Sequence, residues 1–188
     1  MPRDDSPDGA LRRVGPVCHK IYKALLEGIK TAVCLHEIAG WDHRVDKHLY
    51  HHMIRRRAIE SLNSLQPDDE PQHHDGDDEW LPMSGLILEE PEDVIRVWHI
   101  NRADIPRPST PKKRDFIHQP AVSSRQGELF DATEFLPAAH RDRKNHLILH
   151  WTVREHSITR FDLVRPIGTS ENQVNIDWRV SLLPQYTG

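Results

Sequence analysis

Cysteine is scarce: Cys18 and Cys34 are the only two in 188 residues. Two are too few for a disulfide framework, and they do not form the CxxC pair of a structural zinc knuckle. Both read as reduced core residues. Long apolar runs are missing as well. None approaches the roughly 18 residues that a membrane span requires, and the opening MPRDDSPDG is acidic and proline-bearing where a signal peptide is basic and then apolar. These features predict a cytoplasmic chain with no membrane partner. Hydrophobic residues make up 37% of it, enough for one moderate domain or two small ones. Also absent are the GxSxG elbow, the Walker loop, the nucleotide-binding glycine fingerprint and any triad-like order. The expected role is therefore regulatory, with no catalytic residue and no cofactor assigned.

Base is short in only one place. Residues 66–100 hold one cation against eleven acids, whereas 1–65 hold eleven against eight and 101–188 thirteen against ten. The net charge of −4 thus comes from one acidic insert flanked by two basic regions. Phosphate binding depends on a local basic face, not on the whole-chain sum.

The chain divides by pattern. Residues 1–14, with three Asp and two Pro, read as a flexible tail. In 15–65, Val17, Ile21, Leu25 and Ile29 step by four and predict a first helix, with Gly28 loosening its end. A second, short helix is expected over 31–39 behind Thr31, stopping at Gly40. Trp41 would plug the turn, and Asp42 would cap a third helix beginning near His43. In that helix Val45, Leu49 and Met53 would face the core. Arg44, Lys47, His48, His51 and Arg55 form the opposite stripe, and Arg56 and Arg57 follow.

The stretch GIKTAVCLHEIAGWDHRVDKHLYHHMIRRRAI resembles the helix-turn-helix core of winged-helix transcription regulators, through Ile38-Ala39, Gly40, Val45 and Leu49. The resemblance implies a recognition helix over 43–57 that binds double-stranded DNA. Arg44, Lys47, His48 and His51 would meet base edges or phosphates and Arg55, Arg56 and Arg57 the backbone. Where that family has a basic wing, this chain has SLQPDDEPQHHDGDDE, which repels phosphate. Residues 66–79 read as an acidic linker.

Residues 80–100 predict a β-hairpin, with a helix opening at Pro91 as the competing pattern. Residues 101–145 read as an irregular connection. Within it Arg107 to Arg114, RPSTPKKR, is similar to the TPKK-type minor-groove repeats of chromatin proteins, which adds Lys112, Lys113 and Arg114 as an extended DNA-binding arm. GELFDATEFLP, further on, suits a short docking helix. Residues 146–188 alternate with period two in three segments and predict an antiparallel β-meander with one buried face. The whole is expected to be α+β: a three-helix helix-turn-helix followed by a mostly antiparallel sheet region with a long irregular connection.

Fourteen histidines raise a metal question. His36-Glu37 lacks the second ligand of an HExxH site, since Ile38-Ala39-Gly40 follows. His48 and His52 could share a face with His43 near them, but histidines that solvate a helix or bond phosphate explain the pattern, and no metal is assigned. Protonation below about pH 6.5 would then strengthen binding. Two other functions compete with DNA binding. One is a protein-interaction module, an inhibitor or adaptor using the acidic insert, with a homodimer or protein partner joined through the C-terminal sheet. The other is a nuclease, metal-dependent or of the HEPN class, whose Arg/His pair the spacings of Arg44 with His51 and Arg141 with His146 resemble.

Overall fold

A computed structural model describes residues 4–63, 86–119 and 144–183, apart from the Asn63 and Lys112 side chains. The expectations for the acidic 66–79 linker and for GELFDATEFLP lie outside the described residues. The chain is α+β: two N-terminal helices, a five-stranded mixed sheet and one short helix.

Helix α1, Pro7–Ala39, begins where a strong local signal stands. Ser6 is extended and its Oγ accepts from the Gly9 N–H at 3.2 Å. Pro7 follows, where a missing N–H costs nothing, and Asp8 complements the helix dipole. Residues 7–14 are therefore helical, not a flexible tail, and Trp178 Nε1 donates to the Asp5 carbonyl at 3.0 Å to hold the approach. Ala10, Val14, Cys18, Ile21, Leu25, Ile29 and Ala32 bury one continuous stripe. The two helices expected before Gly40 are thus one. Pro16 falls on the exposed side, and Gly28 ends nothing: a Cβ there would run into the Ile54 carbonyl, so it marks where two backbones meet closely.

Gly40 stops α1 in the left-handed region, φ 66°. Its N–H donates to Glu37 and that of Trp41 to His36, at 3.2 and 2.9 Å, which closes a Schellman cap. Asp42 then caps a turn, not a helix, by accepting from the Arg44 N–H at 2.8 Å. The cap is Asp46, whose Oδ1 accepts from the Leu49 N–H at 3.1 Å, and α2 runs Lys47–Asn63. One turn of delay rotates the helix relative to expectation. Tyr50, Ile54 and Ala58 are buried, while Leu49 and Met53 are half-buried and Val45 is 84% exposed. Trp41 is no plug, being exposed with Leu35 and Ile38. Cys18 is buried and Cys34 exposed, both as free thiols. Glu27 meets Arg57 and Ser61 while His36 meets Tyr50, so α1 and α2 lie antiparallel.

The sheet order is β1 Leu86–Glu89, β2 Asp93–His99, β3 Asn145–Arg154, β4 Ser157–Thr169 and β5 Val174–Ser181. The β1–β2 hairpin and the β3–β4–β5 meander are antiparallel, and β2 joins them by pairing parallel to β3. Glu155 and His156, both at positive φ, turn β3 into β4. One face, with Ile95, Val97, Leu147, Leu149, Trp151 and Phe161, packs on α1 and α2. The other is covered too. Trp98, Ile148 and Val164 pack there against Ile105 and against Phe116 and Ile117 of α3, Pro111–Ile117. Hence β3 is buried on both faces where one was expected, and the extended arm over 107–114 becomes, from Pro111, a short helix seated on the sheet. Among the described residues no helix is long and apolar enough to cross a membrane.

Candidate functional site

Leu86, the first described residue of β1, pairs with Val97 near the end of β2. What holds this end is β3: the Ile100 N–H donates to Trp151 at 3.1 Å, and the Ile100 carbonyl accepts from Thr152 Oγ1 at 2.6 Å, with His150 Nε2 at 3.1 Å. The chain then crosses the sheet end. Ile105 is buried, its carbonyl accepts from the Val174 N–H at 2.9 Å, and the Arg107 N–H donates to Asn172 at 3.1 Å. Arg107 and, one turn into α3, Lys113 are thereby fixed on one lip of a cleft of about 520 Å³. Helix α2 adds His48, His51, His52 and Arg55 to the lining, beside the buried core residues Ile21, Leu25, Ala58, Val97 and Trp151.

The charge in this cleft has one sign. Four imidazoles, two guanidiniums and an ammonium line it, and no carboxylate does among the described residues. The His51 and His99 rings lie 3.9 Å apart, and His99 is 4.6 Å from Trp151. Burial, with the neighbouring His51 and His150 adding to it, pushes His99 down to about 3. Burial also lowers the pKa of His51, helped by His48 and Lys47, and of Lys113, helped by Arg96. Desolvation beside like charge moves all three toward their neutral forms, the reverse of what a structural ion pair does. Two buried nitrogens of the lining residues, Trp98 Nε1 and His99 Nε2, have no hydrogen-bond partner among the described residues. Such orphans are costly in a finished core and call for an explanation.

The residues singled out from sequence separate into groups. His48, His51, Arg55 and Lys113 meet at the cleft, where Arg55 Nη2 also donates to His52 Nδ1 at 3.2 Å. Arg56 pairs with Glu60 at 2.9 Å and Arg57 with Glu27 at 2.8 Å, so both carry partners on the outer side of α2. Arg44 and Lys47 are exposed around the start of α2 and do not line the cleft. Arg114 sits half-buried in the last turn of α3. The Lys112 side chain and Arg141 lie outside the described residues. Arg44 and His51 are not brought together at the cleft as the ribonuclease spacing required. His99, Trp98 and Trp151 escaped the sequence reading. The available signal was a titratable residue closing the apolar run VIRVWH, but its meeting with α2 is long-range.

A second cluster adjoins it at the start of α2, where the Tyr50 and His51 rings are 5.7 Å apart. Tyr50 Oη and His156 Nδ1 are 3.0 Å apart, the His43 and His156 rings 4.4 Å, and buried His36 stacks edge-on to Tyr50 with its Nδ1 donating to the Ala32 carbonyl at 2.8 Å. These contacts tie the α1–α2 turn to the β3–β4 turn. Among the described residues no group of three or more His, Cys, Asp or Glu side chains is placed to hold a metal ion. No protein-family model matches the chain, and no curated protein and no solved structure matches it either.

Proposed function

We propose that this chain is a non-catalytic, regulatory nucleic-acid-binding protein whose phosphate contacts come from the cleft between α2 and the 107–113 segment. The observation that carries this reading is the cleft's uniform sign: seven cationic or imidazole side chains converge with no described carboxylate among them. Arg56 and Arg57 pair with acidic residues away from this lining. The phosphates of a polyanion suit both guanidinium forks and imidazole donors. The helix-turn-helix use of α2 on duplex DNA is a second reading. It is favoured by the exposure of Arg44, Lys47 and His48 around the first turn of that helix.

The test is fluorescence-anisotropy binding of the full chain to labelled DNA across a salt series, with two double variants. Micromolar binding that falls steeply with salt and is lost in Arg107→Glu/Lys113→Glu supports the cleft. Loss confined to Arg44→Glu/Lys47→Glu supports the helix-turn-helix reading. Negligible binding by the parent at low salt rejects both and leaves the protein-interaction reading, for which β5, the outer strand of the sheet, is the edge where a second copy or another protein would pair.

A further inference from the structure

We infer that the face of β2 beneath α3 carries a seat for one phosphate-class oxyanion, held by Arg96, Trp98 and Lys113. The seat lies on the α3 side of the sheet, uses nothing from α2, and stands whether or not the chain binds nucleic acid. Its placement follows from local geometry. Arg96 and Trp98 are two apart on one strand, so both side chains leave the same face of the sheet. On α3, Lys113 and Phe116 are three apart and share a helix face. Phe116 is buried on the sheet with Trp98, and the Arg96 guanidinium lies over its ring at 4.8 Å. Lys113 is thereby set beside Arg96, and it lines the cleft together with Trp98.

What these groups lack is an acceptor. Trp98 is only 8% exposed, and its Nε1 and the buried Arg96 Nη1 have no hydrogen-bond partner among the described residues. Both can only donate. Charge points the same way. Burial lowers the pKa of Arg96, and burial with Arg96 as neighbour lowers that of Lys113, with no described carboxylate offsetting either. Two cations drawn together out of water cost stability unless an anion joins them. The Phe116 ring offsets part of that cost through cation–π attraction, yet it leaves Nη1 without an acceptor.

The chemistry of the donors selects the ligand. A water molecule can satisfy Trp98, but it brings no charge to Arg96 and Lys113. A carboxylate is planar with two oxygens, whereas these donors come from two layers, the strand and the helix above it. A tetrahedral oxyanion has oxygens for both. His150, the partner of Trp98 in β3, is buried on the same face. Its Nε2 donates to the Ile100 carbonyl, so its unpartnered Nδ1 is an acceptor, which a protonated phosphate oxygen or a water can answer. Arg107 and Ser109 line the same cleft and offer further donors to the rest of a phosphate ester.

The probe is inorganic phosphate, titrated into the full chain at constant pH and ionic strength, with chloride and acetate as controls, and read by calorimetry and by thermal unfolding. Phosphate should bind and raise the unfolding temperature, where chloride and acetate do neither. Lys113→Met keeps the length of the side chain and removes its charge. It should raise the unfolding temperature in the absence of phosphate, because a like charge beside Arg96 is gone, and weaken phosphate binding about tenfold or more, the loss of a charged hydrogen bond. Trp98→Phe keeps an aromatic ring, removes the N–H and should weaken binding several-fold. Should it fail to fold, Arg96→Lys, which keeps the charge and loses the fork, gives the same loss. Phosphate that binds no better than acetate overturns the seat, and so does binding that Lys113→Met leaves unchanged. Labelled duplex DNA separates the two sources of the phosphate. Displacement of the DNA at the concentration where phosphate itself binds assigns a nucleic-acid phosphate, and saturation by phosphate without displacement assigns a small phosphate ester. Salt-dependent DNA binding with no phosphate binding overturns the seat alone, whereas phosphate binding with no DNA binding keeps the seat and removes the nucleic-acid reading.

Discussion

Strand β2 begins at Asp93 and ends at His99, and its two ends handle charge in opposite ways. Asp93 is 1% exposed and fully answered: Arg13 grips it with Nε and Nη2 at 2.7 and 3.0 Å, and Asn145 Nδ2 donates to it at 3.0 Å. The Asn145 oxygen accepts from Arg165 Nε at 3.0 Å, and Arg165 Nη1 reaches Asp177 at 2.7 Å. Hydrogen bonding to Asp93, more than any other influence, raises the Arg13 pKa. At the other end His99 faces His51, and no described carboxylate is near. The first end is a finished network that ties α1 to the sheet. The second has no such network among the described residues, and its imidazoles are shifted toward their neutral forms.

The largest effect should come from breaking the finished end. Asp93→Ala leaves the Arg13 guanidinium and the Asn145 amide without their acceptor, and should cost about 3–5 kcal/mol in the urea midpoint, the range for a half-removed buried pair. Nucleic-acid affinity per folded molecule should not change, since the cleft lies at the opposite end of the strand. A loss below 1 kcal/mol would mean that the network carries little stability.

The next effect crosses from one region to the other. Helix α2 carries the cleft histidines, and its position is set by the contact of Gly28 with the Ile54 carbonyl. Gly28→Ala should force the helices apart at a cost of about 1–3 kcal/mol, the range for overpacking. Unlike Asp93→Ala, it should also weaken DNA binding, because His48, His51, His52 and Arg55 move with α2. Unfolding and anisotropy titrations on the same sample check both.

The two ends also differ in how far they could be read from sequence. The stripe Ile21, Leu25, Ile29 and the stop at Gly40 are local patterns, and so are the period-two runs of the last three strands. The start of α2 is not decided locally: Asp42 and Asp46 are both cap residues, one turn apart, and only burial of Tyr50, Ile54 and Ala58 against α1 selects the second. Because that choice rotates the helix, it also decided which of the basic residues reach the cleft. RPSTPKKR looked extended for its prolines, yet Pro111 suits the first position of a helix, and Phe116 and Ile117 at its end have a sheet face to bury. The parallel β2–β3 pairing, which brings Asp93 beside Asn145, joins residues about fifty positions apart and leaves no mark in periodicity.

A smaller change sharpens the comparison by giving the open end a charge like that of the closed one. His52 is an exposed lining residue of α2, and His52→Glu sets a carboxylate in the lining that Lys113 shares. Stability should stay within about 0.5 kcal/mol of the parent, as for most surface substitutions. DNA affinity should fall about tenfold, equivalent to about 1.4 kcal/mol. A variant that binds as well as the parent would remove the cleft's sign from the account of function.

The smallest effect concerns protons. His99 is held at about 3 against an ordinary value of 6.5, so between those limits the unfolded chain binds a proton that the folded chain refuses. Its contribution to stability is therefore complete above pH 6.5 and is lost progressively as the pH falls toward 3. At pH 6 the loss is below about 1 kcal/mol, and His99→Gln should remove it, flattening the fall in urea midpoint from pH 7 to pH 5. Binding works in the other direction. A phosphate beside His51 and His99 favours their charged forms, which burial and like charge now suppress, so complex formation should take up protons and tighten as the pH falls. Calorimetry in two buffers of different ionisation enthalpy measures that uptake. It should be positive for the parent near pH 6 and smaller for His51→Gln/His99→Gln, whereas equal uptake in the two proteins would assign the protons to groups outside the cleft and leave this imidazole pair a packing role alone.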